Sequence, residues 1–171
     1  MKHLRQYIRR LLIESSYQTI RLHHSRGEER KDGQVNFGPY PQPSASDQIG
    51  PGKPNGIWYD CDGQWEEYCR VDLGSYSNRG YDSVFEVFPN KSTVLFITSN
   101  QEFDDFEKTY GKPGKYELVI DWALVASHYD GIEICPYLHK KRMGHGWYYP
   151  WDVASGCIWD PSGIKEMIRR C

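Results

Sequence analysis

The sequence predicts a single α+β domain, and three observations lead to this fold class. The chain has 171 residues, which is the length of one ordinary domain. Its 39% hydrophobic and 15% aromatic residues can supply a buried core. Short β-type runs alternate with a few helical ones, without an internal repeat or a second hydrophobic core. We therefore expect residues 1–171 to form one unit.

The first third of the chain predicts a helix, two strands and a long loop. Residues 1–15 are expected to form an amphipathic helix in front of a core spanning residues 16–171, because apolar residues recur there at helical spacing. These residues are Leu4, Tyr7, Ile8, Leu11 and Leu12. Thr19–His24 and Gly56–Asp60 read as strands. The segment 25–55 between them is rich in Gly, Pro, Ser and Asp, which predicts a long loop.

The rest of the chain continues with short elements. Ser99 is a good N-cap, and Phe103, Phe106 and Tyr110 then fall on one helical face. The predicted helices are Gln64–Cys69, the segment that follows Ser99, Ile120–Ser127 with Asp121 as its cap, and a short terminal helix or turn at Ile164–Arg170. The predicted strands are Ser83–Phe88, Thr93–Thr98, Tyr129–Ile134 and Cys157–Trp159.

Charge and hydropathy exclude several classes of protein. The net charge of −2 does not suit a binder of polyanions over its whole surface, although residues 1–31 hold eight Lys or Arg against three Glu. That basic segment could contact phosphates, or it is an ordinary solvated face. Apolar runs stay well short of the ~20 residues that a membrane span needs, and the N-terminus does not resemble a signal peptide. We expect a cytoplasmic monomer without a membrane partner.

The cysteines and histidines give no sign of a metal site. Five cysteines form an odd number and contain no CxxC pair, and the six histidines are not spaced with them as in zinc fingers. We therefore expect reduced, mostly buried thiols and no bound metal.

An aromatic insert near the C-terminus is the most unusual local feature. Trp147, Tyr148, Tyr149 and Trp151 stand immediately before Asp152. Aromatic side chains are costly to leave in water, and they stack on planar ligands. The insert therefore predicts the wall of a binding site, with a buried core as the plainer alternative.

Three motifs resemble the ADP-ribosyltransferase superfamily, in particular its histidine-tyrosine-glutamate branch, which includes the poly-ADP-ribose polymerases. His24-Ser25 at a strand end is similar to the branch's His-Gly-Ser/Thr, and Gly56-Ile57-Trp58-Tyr59 is similar to its Gly-Ile-Tyr-Phe strand. The pair formed by Tyr129-Asp130-Gly131-Ile132 and Asp160-Pro161-Ser162 resembles the endings of transferase domains in bacterial toxins and phage proteins. The resemblance covers about residues 20–167.

The resemblance implies both a fold and an activity. The fold would be two small, packed, mostly antiparallel sheets with a few short helices. The activity would be transfer of ADP-ribose from NAD, as substrate, to a protein or nucleic acid, with release of nicotinamide, in the cytoplasm of a bacterium or a phage-infected host. The expected NAD-binding residues are Arg21, His24, Ser25, Gly56, Trp58 and Tyr59.

The position of the catalytic acid departs from the family pattern. The family's glutamate begins the last strand of the motif, and the matching position here is near Ser155. Two acids are close enough in sequence to replace it, Glu133 and Asp152, and Glu133 is slightly favoured. Glu133 alternates with Ile132 and Ile134, so it should project to the opposite face of its strand.

Two alternatives to this transferase remain open. An RNA 2′-phosphotransferase also consumes NAD, but its Arg-His-Arg-Arg set is matched here only by scattered residues. A non-catalytic module that binds a nucleotide or a peptide on the same fold is favoured by the missing glutamate. The latter predicts saturable binding without release of nicotinamide.

Overall fold

The computed structural model describes residues 19–25, 53–76, 80–81 and 83–170. The predicted helix over residues 1–15 and most of the predicted loop over residues 25–55 lie outside this part of the chain. The described residues form an α+β structure with nine strands and four short helices. None of their helices is long and apolar enough to cross a lipid bilayer.

The elements follow one another with short connections. The strands are β1 (Arg21–Ser25), β2 (Ile57–Cys61), β3 (Ser83–Pro89), β4 (Val94–Ile97), β5 (Gly111–Pro113), β6 (Leu118–Ile120), β7 (Gly131–Ile134), β8 (Ser155–Ile158) and β9 (Ile164–Arg169). The helices are α1 (Gln64–Val71), α2 (Asn100–Tyr110), α3 (Trp122–Ala126) and α4 (His139–Arg142). A 3-10 turn, Pro161–Gly163, precedes β9. The predicted strands and internal helices are confirmed to within a few residues at their ends.

One seven-stranded sheet dominates the fold, in the order β4-β7-β8-β2-β1-β3-β9. The β4–β7 pair is parallel, and the other neighbours in this sheet are antiparallel. A separate two-stranded ribbon is formed by β5 and β6. The sheets therefore differ from the expected two small packed sheets, because the strands join edge to edge into one large mixed sheet.

The large sheet must curl, because a short connection joins distant strands. Only residues 90–93 link the end of β3 to the start of β4, although four other strands lie between them in the sheet. Five residues of extended chain reach about 17 Å. Five strand spacings in a flat sheet would measure about 24 Å. Val87 of β3, Val94 of β4 and Ile158 of β8 accordingly share one small core, which lies on the enclosed inner face of the curl.

The outer face of the sheet carries the main core. Ile132 and Ile134 of β7 point to this face and pack with α2 and α3. Phe103, Phe106 and Tyr110 bury the predicted apolar side of α2. That helix begins where its sequence predicts, since the Ser99 side chain accepts a hydrogen bond from the backbone N–H of Glu102.

The C-terminal segment corrects one prediction. Residues 164–169 form β9, an edge strand, instead of a helix or turn. Ile164 and Met167 lie on the inner core, and their spacing of three imitates a helical pattern. The backbone of β3 offers this segment a ladder of hydrogen bonds with the register Val87↔Met167, so pairing between distant residues decides the structure.

Candidate functional site

Alternation along β1 and β2 separates two sets of side chains. Residues paired across neighbouring strands share a face, and successive residues point to opposite faces. Leu22 pairs with Asp60 and Asp60 with Ser155, while Trp58 pairs with Cys157, which places these side chains on the outer face. Tyr59 and Glu133 both stand beside Gly156 in the register and point to the inner face. Each face then holds a distinct polar site.

A cavity of about 470 Å³ opens on the outer face beside β1 and β2. This volume lies within the range of about 300–1,000 Å³ that is typical of small-molecule sites. The lining residues include His24, Lys53, Gly56, Trp58, Asp60 and Asp152. The structure thus brings together residues from distant parts of the chain, among them five sequence-predicted ones: His24, Gly56, Trp58, Tyr59 and Asp152.

His24 lies on one side of the cavity between an acid and a phenol. Its Nε2 is 3.0 Å from Asp60 Oδ1, and its Nδ1 is 2.5 Å from the Tyr76 hydroxyl. The other oxygen of Asp60 accepts a hydrogen bond from the backbone N–H of Trp65. Burial raises the pKa of Tyr76 to about 12, which keeps the phenol protonated and able to donate. Both ring nitrogens of His24 are therefore already engaged.

Trp58 forms an aromatic wall next to that histidine. Its indole N–H donates to the Pro54 carbonyl oxygen, and its ring meets Trp151 edge-on at 4.8 Å. The Lys53 ammonium stands 4.9 Å from the Trp58 ring centre, a cation–π contact. Burial lowers the pKa of Lys53, while the nearby charge of Asp152 opposes that change. The indole is thus fixed at its polar edge, and its face can hold a cation.

Asp152 places a carboxylate in the same cavity, and α4 helps to hold it. Arg142 of α4 donates to Asp152 Oδ1 at 3.2 Å. Burial raises the pKa of Tyr68, and so do the charge of Asp152 and a hydrogen bond to it. Ser155 also lines the cavity, and its hydroxyl donates to the Val153 carbonyl oxygen. Asp152 and Ser155 therefore line the same cavity, which is the arrangement that a replacement of the family's glutamate by Asp152 would need.

Glu133 belongs to the inner face and does not line the cavity. Its oxygens accept two hydrogen bonds from Arg21, at 2.5 and 2.8 Å, and one from the Tyr59 hydroxyl at 2.9 Å. Burial alone would lower the pKa of Arg21, but hydrogen bonding to Glu133 and its charge raise the pKa overall. Burial, followed by the charge of Glu133, raises the pKa of Tyr59. The carboxylate is buried, and Arg21 and Tyr59 use three of its roughly four lone-pair positions.

Two predicted NAD-binding residues, Arg21 and Ser25, also lie on the inner face of the sheet and not in the cavity. Arg21 is committed to Glu133, and Ser25 is buried opposite Ser83 in the β1–β3 register. Neither lines the cavity, and each lies an odd number of residues from His24, on the opposite face of β1. Tyr59 lines the cavity, but its hydroxyl reaches Glu133 on the inner side.

The aromatic insert is mainly core and not the wall of the site. Trp147, Tyr148 and Trp151 are at most 1% exposed and pack against one another and against α2. The Trp147 indole N–H is satisfied by Glu107 Oε1 at 2.8 Å, so this ring can be buried without an unpaired donor. Tyr149 is exposed. Within the insert, only Asp152 lines the cavity. Trp151 contacts the cavity residue Trp58 edge-on.

The sequence-based prediction missed several residues that line the cavity or contact His24 beside it. Asp60 follows Trp58 by two positions on the same strand, so alternation could have identified it. Tyr76 and Tyr81 stack on each other beside His24, and Trp65 donates to the Tyr81 hydroxyl. These aromatics come from α1 and the segment after it, and no periodicity in the sequence connects them to β1.

No protein-family model, curated protein or solved structure matches the chain. A function is therefore inferred from the geometry of the cavity and of the contacts among Arg21, Tyr59 and Glu133.

Proposed function

We propose that the chain is a cytoplasmic ADP-ribosyltransferase that moves ADP-ribose from NAD to a protein or nucleic acid and releases nicotinamide, on an ADP-ribosyltransferase-like fold. One observation carries the proposal. Three separate segments of the sequence line one cavity, and they contribute His24, the pair Gly56 and Trp58, and Asp152. Their chemistry suits the substrate, since the cavity offers an aromatic face, a histidine at a strand end and a carboxylate.

Trp58 is the proposed platform for the nicotinamide ring. Nicotinamide is a cation in NAD, and a Trp face attracts cations and planar rings. The Lys53 ammonium now occupies that place, 4.9 Å from the ring centre. In this proposal, the nicotinamide ring displaces the ammonium from the indole face. Gly56 lets the chain pack closely against β8 beside this wall, because a β-carbon there would lie 2.5 Å from the Ile158 backbone oxygen.

Asp152 is the proposed catalytic carboxylate. When the bond between nicotinamide and ribose breaks, its electron pair leaves with the nicotinamide, and positive charge develops on the ribose as in glycoside cleavage. A carboxylate that accepts a hydrogen bond from a ribose hydroxyl stabilises this charge. The acceptor's nucleophilic atom then bonds to the ribose carbon and loses its proton to solvent. Asp152 is partly exposed, with 26% of its side chain accessible, so the substrate can reach it.

His24 is the proposed contact for the adenosine ribose, held in place by Asp60. Because the Asp60 carboxylate accepts from the histidine ring, the ring orientation is set before substrate arrives. The Tyr76 hydroxyl occupies the other ring nitrogen. In this proposal, a ribose hydroxyl replaces the Tyr76 hydroxyl as the partner of that nitrogen. The Tyr76 ring meets the histidine edge-on and would remain as packing.

A non-catalytic module that binds a nucleotide or peptide is the second candidate, and one observation favours it. The Asp152 carboxylate already has Arg142 and Tyr68 as partners, and Ser155 stands where the family's glutamate would be. A carboxylate neutralised by Arg142 stabilises a developing cation less well. Such a module would use the aromatic cavity for binding alone.

The test is a paired measurement of NAD binding and nicotinamide release. We expect the purified protein to bind NAD and to release nicotinamide in the presence of cell lysate, RNA or DNA as acceptor. Asp152→Asn should lower release by at least about 100-fold, the range for loss of one electrostatic catalytic group, while leaving NAD binding in place. Asp105→Asn, an exposed acid on α2, is the matched control and should release nicotinamide at the wild-type rate.

The outcomes separate the two candidates. Saturable NAD binding without release under any condition would support the binding module and contradict the transferase. Nicotinamide release could survive Asp152→Asn and be lost in Glu133→Gln, assayed under conditions in which that variant is folded. This result would assign the catalytic role to Glu133 on the inner face. Absence of both NAD binding and release would contradict the proposal as a whole.

A further inference from the structure

A cluster of three metal-ligating side chains lies on the inner face, apart from the cavity. Cys61 ends β2, while Glu133 belongs to β7 and Cys135 directly follows it. One ligand atom from each of the three lies within 4.8 Å of both others. We call these three residues the thiol cluster. No motif spacing connects the two cysteines in the sequence, and the pairing of β2 and β7 with the two sides of β8 brings them together.

Backbone hydrogen bonds hold both cysteines in place. The Cys61 N–H donates to the Ala154 carbonyl oxygen at 2.9 Å, and the Cys135 N–H donates to the Ile97 carbonyl oxygen at 3.1 Å. β8 lies between β2 and β7, and its Gly156, which pairs with Glu133, adds no side chain beside that carboxylate. The ligand atoms therefore converge on rigid strand ends, as a preorganised metal site requires.

We propose that the thiol cluster binds a thiophilic divalent ion, with Zn²⁺ as the expected occupant. Two thiolates and a carboxylate form a donor set that suits zinc. In a tetrahedral site with Zn–S bonds of about 2.3 Å, two sulfur atoms stand about 3.8 Å apart. The observed limit of 4.8 Å is close enough for small side-chain movements to reach that geometry. This inference is independent of the proposed NAD chemistry.

The charges around the cluster remain balanced when the ion binds. Without metal, Arg21 and Glu133 neutralise each other through two hydrogen bonds. Zn²⁺ replaces the two thiol protons on binding, so the net charge of the buried site does not change. Arg21 then offsets the excess negative charge of two thiolates and one carboxylate on one Zn²⁺. The guanidinium is thus compatible with a cation in this site.

Arg21 and Tyr59 also orient the carboxylate. Of the roughly four lone-pair positions on a carboxylate, these two side chains use three, which leaves one on Oε1 for a metal. Hydrogen-bonded ligand carboxylates of this kind are the usual arrangement around bound metals. Cys61 is fully buried, whereas Cys135 is partly exposed, so an ion can enter from the Cys135 side. Three protein ligands leave a fourth position for water.

The test uses Zn²⁺ and Co²⁺ as probes on the full chain, stripped of metal by a chelator under reducing conditions. We expect one equivalent of Co²⁺ to give the charge-transfer absorption of thiolate ligands, and Zn²⁺ to displace it. Zn²⁺ should also raise the melting temperature, since it binds the folded chain. Cys135→Ser should weaken Zn²⁺ affinity by more than about 100-fold, because loss of outer-shell partners alone costs about 10–100-fold.

Cys157→Ala is the matched control, since this buried cysteine points to the outer face of β8 and should retain wild-type affinity. Glu133→Gln serves as a second ligand variant and should shift the Co²⁺ spectrum. The proposal is overturned if the wild-type chain gives no thiolate absorption with Co²⁺, or if Cys135→Ser binds Zn²⁺ as tightly as wild type. A Cys61–Cys135 disulfide that persists in the reduced preparation would overturn it as well.

Discussion

The two faces of the curled sheet use acidic residues in opposite ways. On the inner face, Glu133 is 3% exposed, and Arg21 and Tyr59 enclose it. On the outer face, Asp152 has 26% of its side chain exposed and borders a cavity of about 470 Å³. The first carboxylate has nearly exhausted its bonding capacity on protein partners. The second has room beside it for a substrate.

This contrast shows that burial and existing partners distinguish the two candidate acids. Both residues lie near the family position at Ser155, and the sequence slightly favours Glu133. A buried ion pair costs desolvation and needs its partners to be kept, whereas a group that contacts substrate needs space. We therefore expect loss of Glu133 to affect mainly stability and loss of Asp152 to affect mainly function.

The largest expected effect on stability comes from Glu133→Gln. Removing this charge leaves the Arg21 guanidinium buried without its anion, which costs about 3–5 kcal/mol of the free energy of unfolding. Asp152→Asn, at a part-exposed position, should cost about 1 kcal/mol or less. Urea denaturation of both variants measures the difference. Equal losses of unfolding free energy in the two variants would mean that Glu133 is no more important to stability than Asp152.

Gly156→Ala should disrupt the inner face alone. A β-carbon at this position would lie 2.3 Å from the Tyr59 ring, which is fully buried and cannot move aside freely. Overpacking of this kind costs about 1–3 kcal/mol. Gly144→Ala is the control, since a β-carbon there meets no atom within 4 Å. Similar urea midpoints for the two variants would contradict the close packing of Tyr59 over Gly156.

Trp58→Ala should weaken ligand binding on the outer face. Loss of a stacking partner costs about 1–3 kcal/mol of binding free energy, so NAD affinity should fall by a factor of about 5–150. Tyr116→Ala, which removes an aromatic ring that is 88% exposed, should leave affinity unchanged. Calorimetric titration with NAD measures both. An unaffected affinity in Trp58→Ala would remove the aromatic wall from the proposed site.

Tyr76→Phe is expected to have the smallest effect, and that effect depends on pH. At neutral pH the variant loses one hydrogen bond to His24, worth about 1 kcal/mol of stability. Burial raises the pKa of Tyr76 from 10.0 to about 12, so the folded chain holds this proton more tightly than the unfolded chain. The stabilisation is complete below pH 10 and is lost as pH rises towards 12.

The stability difference between wild type and Tyr76→Phe should therefore shrink across that interval. Urea denaturation at a series of pH values between 8 and 12 measures it. A difference that stays constant would show that the phenol titrates alike in the folded and unfolded chain.

Local structure was largely determined by the sequence alone. The N-cap at Ser99, the apolar face of α2 and the opposite orientation of Glu133 relative to Ile132 and Ile134 all follow from residues close together in the chain. Capping and alternation act within a few residues, so the sequence suffices to predict them. His24, Trp58 and Asp152, which the sequence assigned to one site, line the same cavity.

Tertiary structure decided the rest. β9 is a strand because the edge of β3 pairs with it, and the aromatic insert is core because α2 supplies Glu107 for the Trp147 indole. Arg21 meets Glu133 across the inner face. Each of these outcomes depends on partners from distant parts of the chain, which strand pairing, helix packing and the curl of the sheet bring into contact. Local periodicity determines which face a side chain takes, but not whether that face encloses an ion pair or opens to a ligand.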